Sequence, residues 1–285
     1  SQVSKQVGTG FAFGLQKAFD QLGATIGPVF FSLCFYFGAS GNKGLSDYQK
    51  GYAFMWIPFV LVMACFIYAY IKVPDPSVFE EKTVQPAGRE KITKVFWLYS
   101  AFTFVATAGF VNYILIAYHL KAKQIVSDAQ IPLFYAAAMA IAGVVALVIG
   151  KIYDKLKLKY KNDKAGLYTL IFIPVLSCVI PVLGFSSDPV LTISAVLLWG
   201  VVMGIHETVM KSVIADLTPL KKRGTGYGIF NTNYGVALFL GSTLMGWLYG
   251  ISIPLLISVV ILLELISIPL FFMVKKEAEM GLEEK

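Results

Sequence analysis

Eight mostly apolar stretches, each of about 20 residues or more, occupy about 10–38, 51–71, 95–120, 131–150, 165–185, 190–214, 224–249 and 252–274. That is the length an α-helix needs to cross the hydrocarbon of a bilayer. Nothing else in the chain restricts its fold as strongly, because backbone groups entering lipid must be bonded within their own helix or in a closed barrel. The expectation is an all-α, polytopic membrane protein with eight transmembrane helices. Hydrophobic residues make up 57% of the chain and charged ones 14%, against about 25% charged in soluble domains.

Eight crossings put both ends on one side. Nineteen of the lysines and arginines fall in the ends and connections on that side, whereas only Lys43, Lys50, Lys121 and Lys123 fall on the other. Basic residues concentrate in cytoplasmic loops, so both termini are expected in the cytoplasm and the protein in the cell membrane. In a soluble chain the net charge of +7 would suggest nucleic acid. Here the charge sits in short loops and reflects topology, so the expected partner is the lipid bilayer and not nucleic acid. Cys34, Cys65 and Cys178 lie in apolar segments at no metal-ligand spacing, so neither a disulfide framework nor a metal site is expected. The chain has no G-x4-G-K-[ST] loop, and no nucleophile, base and orienting group converge in it. No cofactor and no enzymatic activity are expected, and an ion gradient is the expected source of energy.

The segment at Gly224–Gly250 has a faint twin at Gly10–Pro28. At an offset of 214, Gly10, Gly14, Gly27 and Phe13 fall on Gly224, Gly228, Gly241 and Tyr227; an offset of 216 instead matches Gly8–Phe11 to Gly224–Tyr227. Self-similarity of this kind is how many transporters are built. The longest connection, VPDPSVFEEKTVQPAGREK, is mixed in charge and bears prolines, and it reads as a linker between two bundles. The division expected is 1–71 for the last two helices of one bundle, 72–94 for a cytoplasmic linker, 95–274 for a six-helix bundle and 275–285 for a cytoplasmic tail. If the twins hold equivalent places, each bundle has six helices, and the first four are expected to be missing before Ser1.

Three motifs carry a resemblance. Gly14, Gly23 and Gly27-Pro28 form G-x8-G-x3-G-P, which resembles the antiporter motif in the fifth helix of the major facilitator superfamily; Phe31-Ser32 stand where the family has a closing pair of glycines. Gly150 to Lys159 is similar to the family's G-x3-D-[RK]-x-G-[RK] loop, with Asp154 in place and Lys157 where the glycine is expected. Ala215-Asp216 followed by Lys222-Arg223-Gly224 is similar to the entry of the family's eleventh helix. The resemblance implies helices five to twelve of that fold, and a latch in which Asp154, with Gly150, Asp216 and Arg223, meets the start of the first helix at Gly8-Thr9-Gly10. An aspartate there also suits the positive end of a helix dipole. The glycines serve equally for close helix packing, with Pro28 bending the helix.

Ionisable groups within spans are expensive and are therefore functional candidates. Lys17 and Asp20 are three residues apart, the spacing of an intrahelical ion pair. If that pair opens, Asp20 carries a proton and Lys17 attracts an anion. Glu207 follows His206 in the sixth span. A carboxylate in low-dielectric surroundings holds its proton more readily, as proton coupling requires, although pairing with Lys211 four residues on is an equal reading. His206 reads as an interior histidine and Glu264, alone in the last span, as structural. Asn112, Tyr113, Trp199 and Asn231 are the candidates for contact with substrate. Together these features point to a secondary active transporter of a small solute, working by alternating access and proton-linked, with the Gly-Pro motif leaning towards efflux by antiport. The alternative is a non-transporting scaffold or assembly partner, or a fragment that needs a second polypeptide supplying four helices.

Overall fold

A computed structural model describes residues 8–38, 49, 52–72, 92–127, 130–162 and 164–283. Among them the chain is helical, without strands: α1 Thr9–Gly38, α2 Trp56–Lys72, α3 Lys94–Gly109, α4 Tyr113–Ala122, α5 Ile131–Tyr160, a 3-10 stretch Ala165–Ile171 leading into α6 Phe172–Ser177 and α7 Val179–Gly184, α8 Pro189–Leu217, α9 Arg223–Ile251 and α10 Ile253–Glu283. The linker expected at 72–94 lies almost wholly outside the described residues, as do Lys5, Lys43, Lys50, Lys82, Arg89, Lys91 and Lys285.

Seven described helices, or runs of helices, are long and apolar enough to cross a membrane. The first of the eight expected spans is α1, whose 30 residues are also long enough to cross. Two spans differ from expectation. The third is broken between Gly109 and Tyr113, where Asn112 caps α4 by accepting from the Ile114 amide at 3.0 Å. The fourth does not end at residue 150: α5 runs on to Tyr160, so Asp154, Lys155, Lys157 and Lys159 are helical rather than in a loop. With lysine at 157 in place of glycine nothing interrupts the helix, and long lysine stems cover apolar surface while their ends reach water. Asp188 starts α8 by accepting from the amides of Val190 at 2.7 Å and Leu191 at 3.2 Å, with Pro189 at its first position.

Small residues set how the helices cross. A Cβ on Gly10 would run into the Gly150 carbonyl and the Tyr153 side chain, and one on Gly14 into the Ala146 carbonyl, so α1 lies directly on α5. On its other side α5 meets α8, where Gly200 and Gly204 abut the backbone of Ala138 and Ala142. Gly241 brings α9 onto Ala108 of α3 in the same way. Gly23 and Gly27, the other glycines of the motif in α1, face open space among the described residues. An apolar core of Phe96, Tyr99, Phe102, Tyr153, Leu167 and Met210 fills one half of the bundle, and a second around Phe110, Ile116, Met139 and Trp199 fills the other. Helix α2 has no buried residue.

Candidate functional site

The helical period places His206, Glu207, Met210 and Lys211 on one face of α8, and Phe230, Asn231 and Tyr234 on one face of α9. These seven residues line a cavity of about 210 Å³. Into this region α1 sends Lys17, whose Nζ lies 2.6 Å from Glu207 Oε2. Lys211 Nζ is 3.5 Å from the same oxygen, so one carboxylate is shared by two ammonium groups. Lys17 therefore does not form the pair with Asp20 expected from their spacing; Asp20 sits on the exposed side of α1. The pair across helices gives both of these largely covered charges a partner.

His206 is fully buried, and neither ring nitrogen has a hydrogen-bond partner among the described residues. Its ring stacks on Phe110 at 5.3 Å and packs on Tyr234 at 5.5 Å. Phe110 in turn stacks on Trp199 at 5.9 Å. Of the four candidates for substrate contact, Asn231 lines the cavity. The other three have their polar atoms engaged around the break in the third span. Trp199 Nε1 donates to the Val111 carbonyl at 2.8 Å and the Tyr113 hydroxyl to the Ile131 carbonyl at 2.8 Å. Asn112, besides capping α4, reaches Ser242 Oγ at 3.4 Å.

A second polar cluster lies at the end of the bundle where α1 begins. Asp154 accepts from the amides of Gly10 at 2.9 Å and Phe11 at 2.7 Å, the unpaired donors of the first turn of α1. Gly8 takes φ +93°, and a Cβ there would strike the Asp154 carboxylate. Asp216, at the end of α8, accepts from the Tyr153 hydroxyl at 2.8 Å, Lys157 Nζ at 2.8 Å and Thr9 Oγ1 at 3.1 Å. Arg223 donates to the Ala215 carbonyl at 3.0 Å. The cluster brings together Gly150, Asp154, Asp216 and the start of α1; Lys157 and Tyr153 are members that motif reading passed over. Lys157 was visible only as a departure from the family pattern, and Tyr153 had no local signal.

Glu264 is fully buried beside Gly109, and neither carboxyl oxygen has a hydrogen-bond partner among the described residues. No group of three His, Cys, Asp or Glu able to hold a metal ion is gathered among the described residues.

The family model described as Major Facilitator Superfamily matches residues 3–242 and 163–285. An uncharacterized protein of Mycobacterium bovis and two of Mycobacterium tuberculosis are each 31% identical to this chain over 280 residues, covering 96% of it. The chain spans 65% of the length of these curated relatives.

Proposed function

The chain belongs to the Major Facilitator Superfamily, and on that premise we propose that it is a secondary active transporter of a small solute, proton-linked through Glu207. The observation that carries the reading is the Lys17–Glu207 pair at 2.6 Å, which ties α1 to α8 beside a cavity within the membrane-spanning part of the fold. Charged side chains within membrane-spanning helices are costly, so such a pair is a candidate for function. Protonation of Glu207 removes its attraction for Lys17 and frees α1 to part from α8. The cluster around Asp154 and Asp216 then serves as the latch at the cytoplasmic end, holding α1 against α5 and α8 while the cavity opens the other way.

The direction of solute relative to proton does not rest on the Gly-Pro motif, since Gly23 and Gly27 make no close contact among the described residues. The orientation with both ends in the cytoplasm rests on the distribution of basic residues. A second reading has the chain working with another polypeptide, and the exposure of α2 along its whole length favours it.

Reconstitution into proteoliposomes containing a pH-sensitive dye tests the main reading. A panel of small organic acids, amines and neutral solutes is added outside, and proton movement is followed. At least one solute is expected to evoke proton movement that Glu207→Gln abolishes. Absence of solute-evoked proton movement across the panel would favour the scaffold.

A further inference from the structure

Two cations share one carboxylate at Glu207, with Lys17 at 2.6 Å and Lys211 at 3.5 Å. The other titratable groups around it are His206 on its own helix and Tyr234 on α9. Tyr227 is bonded to the Lys211 carbonyl and Tyr99 of α3 to the Met210 carbonyl. Asp20 lies on the exposed side of α1 and makes no ion pair with Lys17. Among the described residues the site therefore has one positive charge in excess, in a setting where uncompensated charge is costly.

His206 adds a second unmet demand. It lines the same cavity, is 0% exposed, and has no hydrogen-bond partner at either nitrogen among the described residues. A buried polar group in that condition calls for a partner, and a water or a ligand from outside the chain can supply it. The remaining lining is apolar or aromatic, from Met210, Phe230 and Tyr234, with the Asn231 side chain beside them. A cavity of about 210 Å³ has the volume share of about seven waters, so its occupant is small.

We propose that this cavity binds a small organic monoanion, a carboxylate or sulfonate on an apolar or aromatic body, and that the anion is carried together with one proton. The inference rests on the transporter reading above. A proton from water on the open side bonds to Glu207 Oε2 and ends its ion pairs. The anion's oxygens then take the carboxylate's place opposite Lys17 and Lys211, with a ring N–H of His206 donating to them. Loaded and empty sites have the same charge, so the cycle is electroneutral; the proton leaves Glu207 to water on the far side as the anion departs. A neutral or cationic solute gives no such balance.

Benzenesulfonate is a suitable probe, because it stays ionised throughout and any pH dependence of its binding belongs to the protein. The full chain in detergent is titrated with it in a calorimeter at about pH 5.5 and about pH 8, either side of neutrality. Binding is expected to be about tenfold tighter or more at the lower pH, and benzenesulfonamide and benzyltrimethylammonium are expected to bind about tenfold more weakly than benzenesulfonate. Glu207→Gln should bind the probe equally at both pH values, and Lys211→Gln should lose about tenfold in affinity. If Lys211→Gln does not elute as a single species, Lys17→Gln takes its place. Equal or tighter binding of the amide or the ammonium compound, or pH-independent binding to the unaltered chain, overturns the proposal. In proteoliposomes, binding without carriage would leave the anion site standing and sink the transport reading. Proton-linked carriage of another solute, with no benzenesulfonate binding, would do the reverse.

Discussion

Lys157 Nζ stands 2.8 Å from Asp216 Oδ2, so the residue that breaks the family's loop pattern is the cation that neutralises the end of α8. Both side chains are largely covered, at 16% and 5% exposure. Lys157→Gly, which restores the pattern, is expected to destabilise the fold by about 2 kcal/mol, since Asp216 keeps only hydroxyl partners. Combining it with Asp216→Asn should recover at least half of that loss, as read from thermal unfolding in detergent. Full additivity of the two changes would show that the pair is not coupled.

Asp154 holds the first turn of α1 through two amides. Asn keeps the shape but loses the charge, which is worth about 1–1.5 kcal/mol here and shifts the conformational balance about tenfold. In a background without the native cysteines, a reporter Ala12→Cys should react several-fold faster with a water-soluble maleimide when Asp154→Asn is present. An unchanged rate argues against a latch.

The contact of Gly10 with Gly150 separates packing from propensity. Alanine favours a helix over glycine by about 1 kcal/mol, so Gly246→Ala, where a Cβ meets open space, should stabilise. Gly150→Ala puts its Cβ against the Gly10 carbonyl and should cost about 1–3 kcal/mol despite the same gain. Melting temperatures moving in the same direction would refute the close crossing of α1 and α5.

Glu207→Gln should reduce solute-driven proton movement by about a hundredfold while leaving exchange of solute across the membrane within about threefold. The neutral amide still fits beside Lys17 but carries no proton. Loss of both activities together would assign Glu207 to folding or solute binding instead.

Glu264 needs no charge. Its oxygens are buried without partners among the described residues, so Glu264→Gln should leave transport unchanged and stability equal or higher by up to about 1 kcal/mol. A loss of transport in that variant would move Glu264 into the working machinery.

Much of this arrangement was legible in the chain, because hydropathy over about 20 residues is a local property. It located the long described helices, and Asp154, Gly150 and Asp216 stood out by motif. Helix ends were less legible: α5 continues ten residues beyond the apolar run, through lysines that a hydropathy window counts as loop. The break after Gly109 was missed because no proline marks it and its stabilisers, Trp199 and Ser242, are remote in sequence. Lys17 was assigned to Asp20 because only neighbours on one helix can be seen from spacing; its partner is 190 positions away, and no local pattern encodes that.

Helix α5 touches α1 on one flank and α8 on the other through bare backbone, at Gly10 and Gly150 and again at Gly200, Gly204, Ala138 and Ala142. At these points the spacing of the helices is set by backbone against backbone, so even one added methyl group must push α5 away from a neighbour.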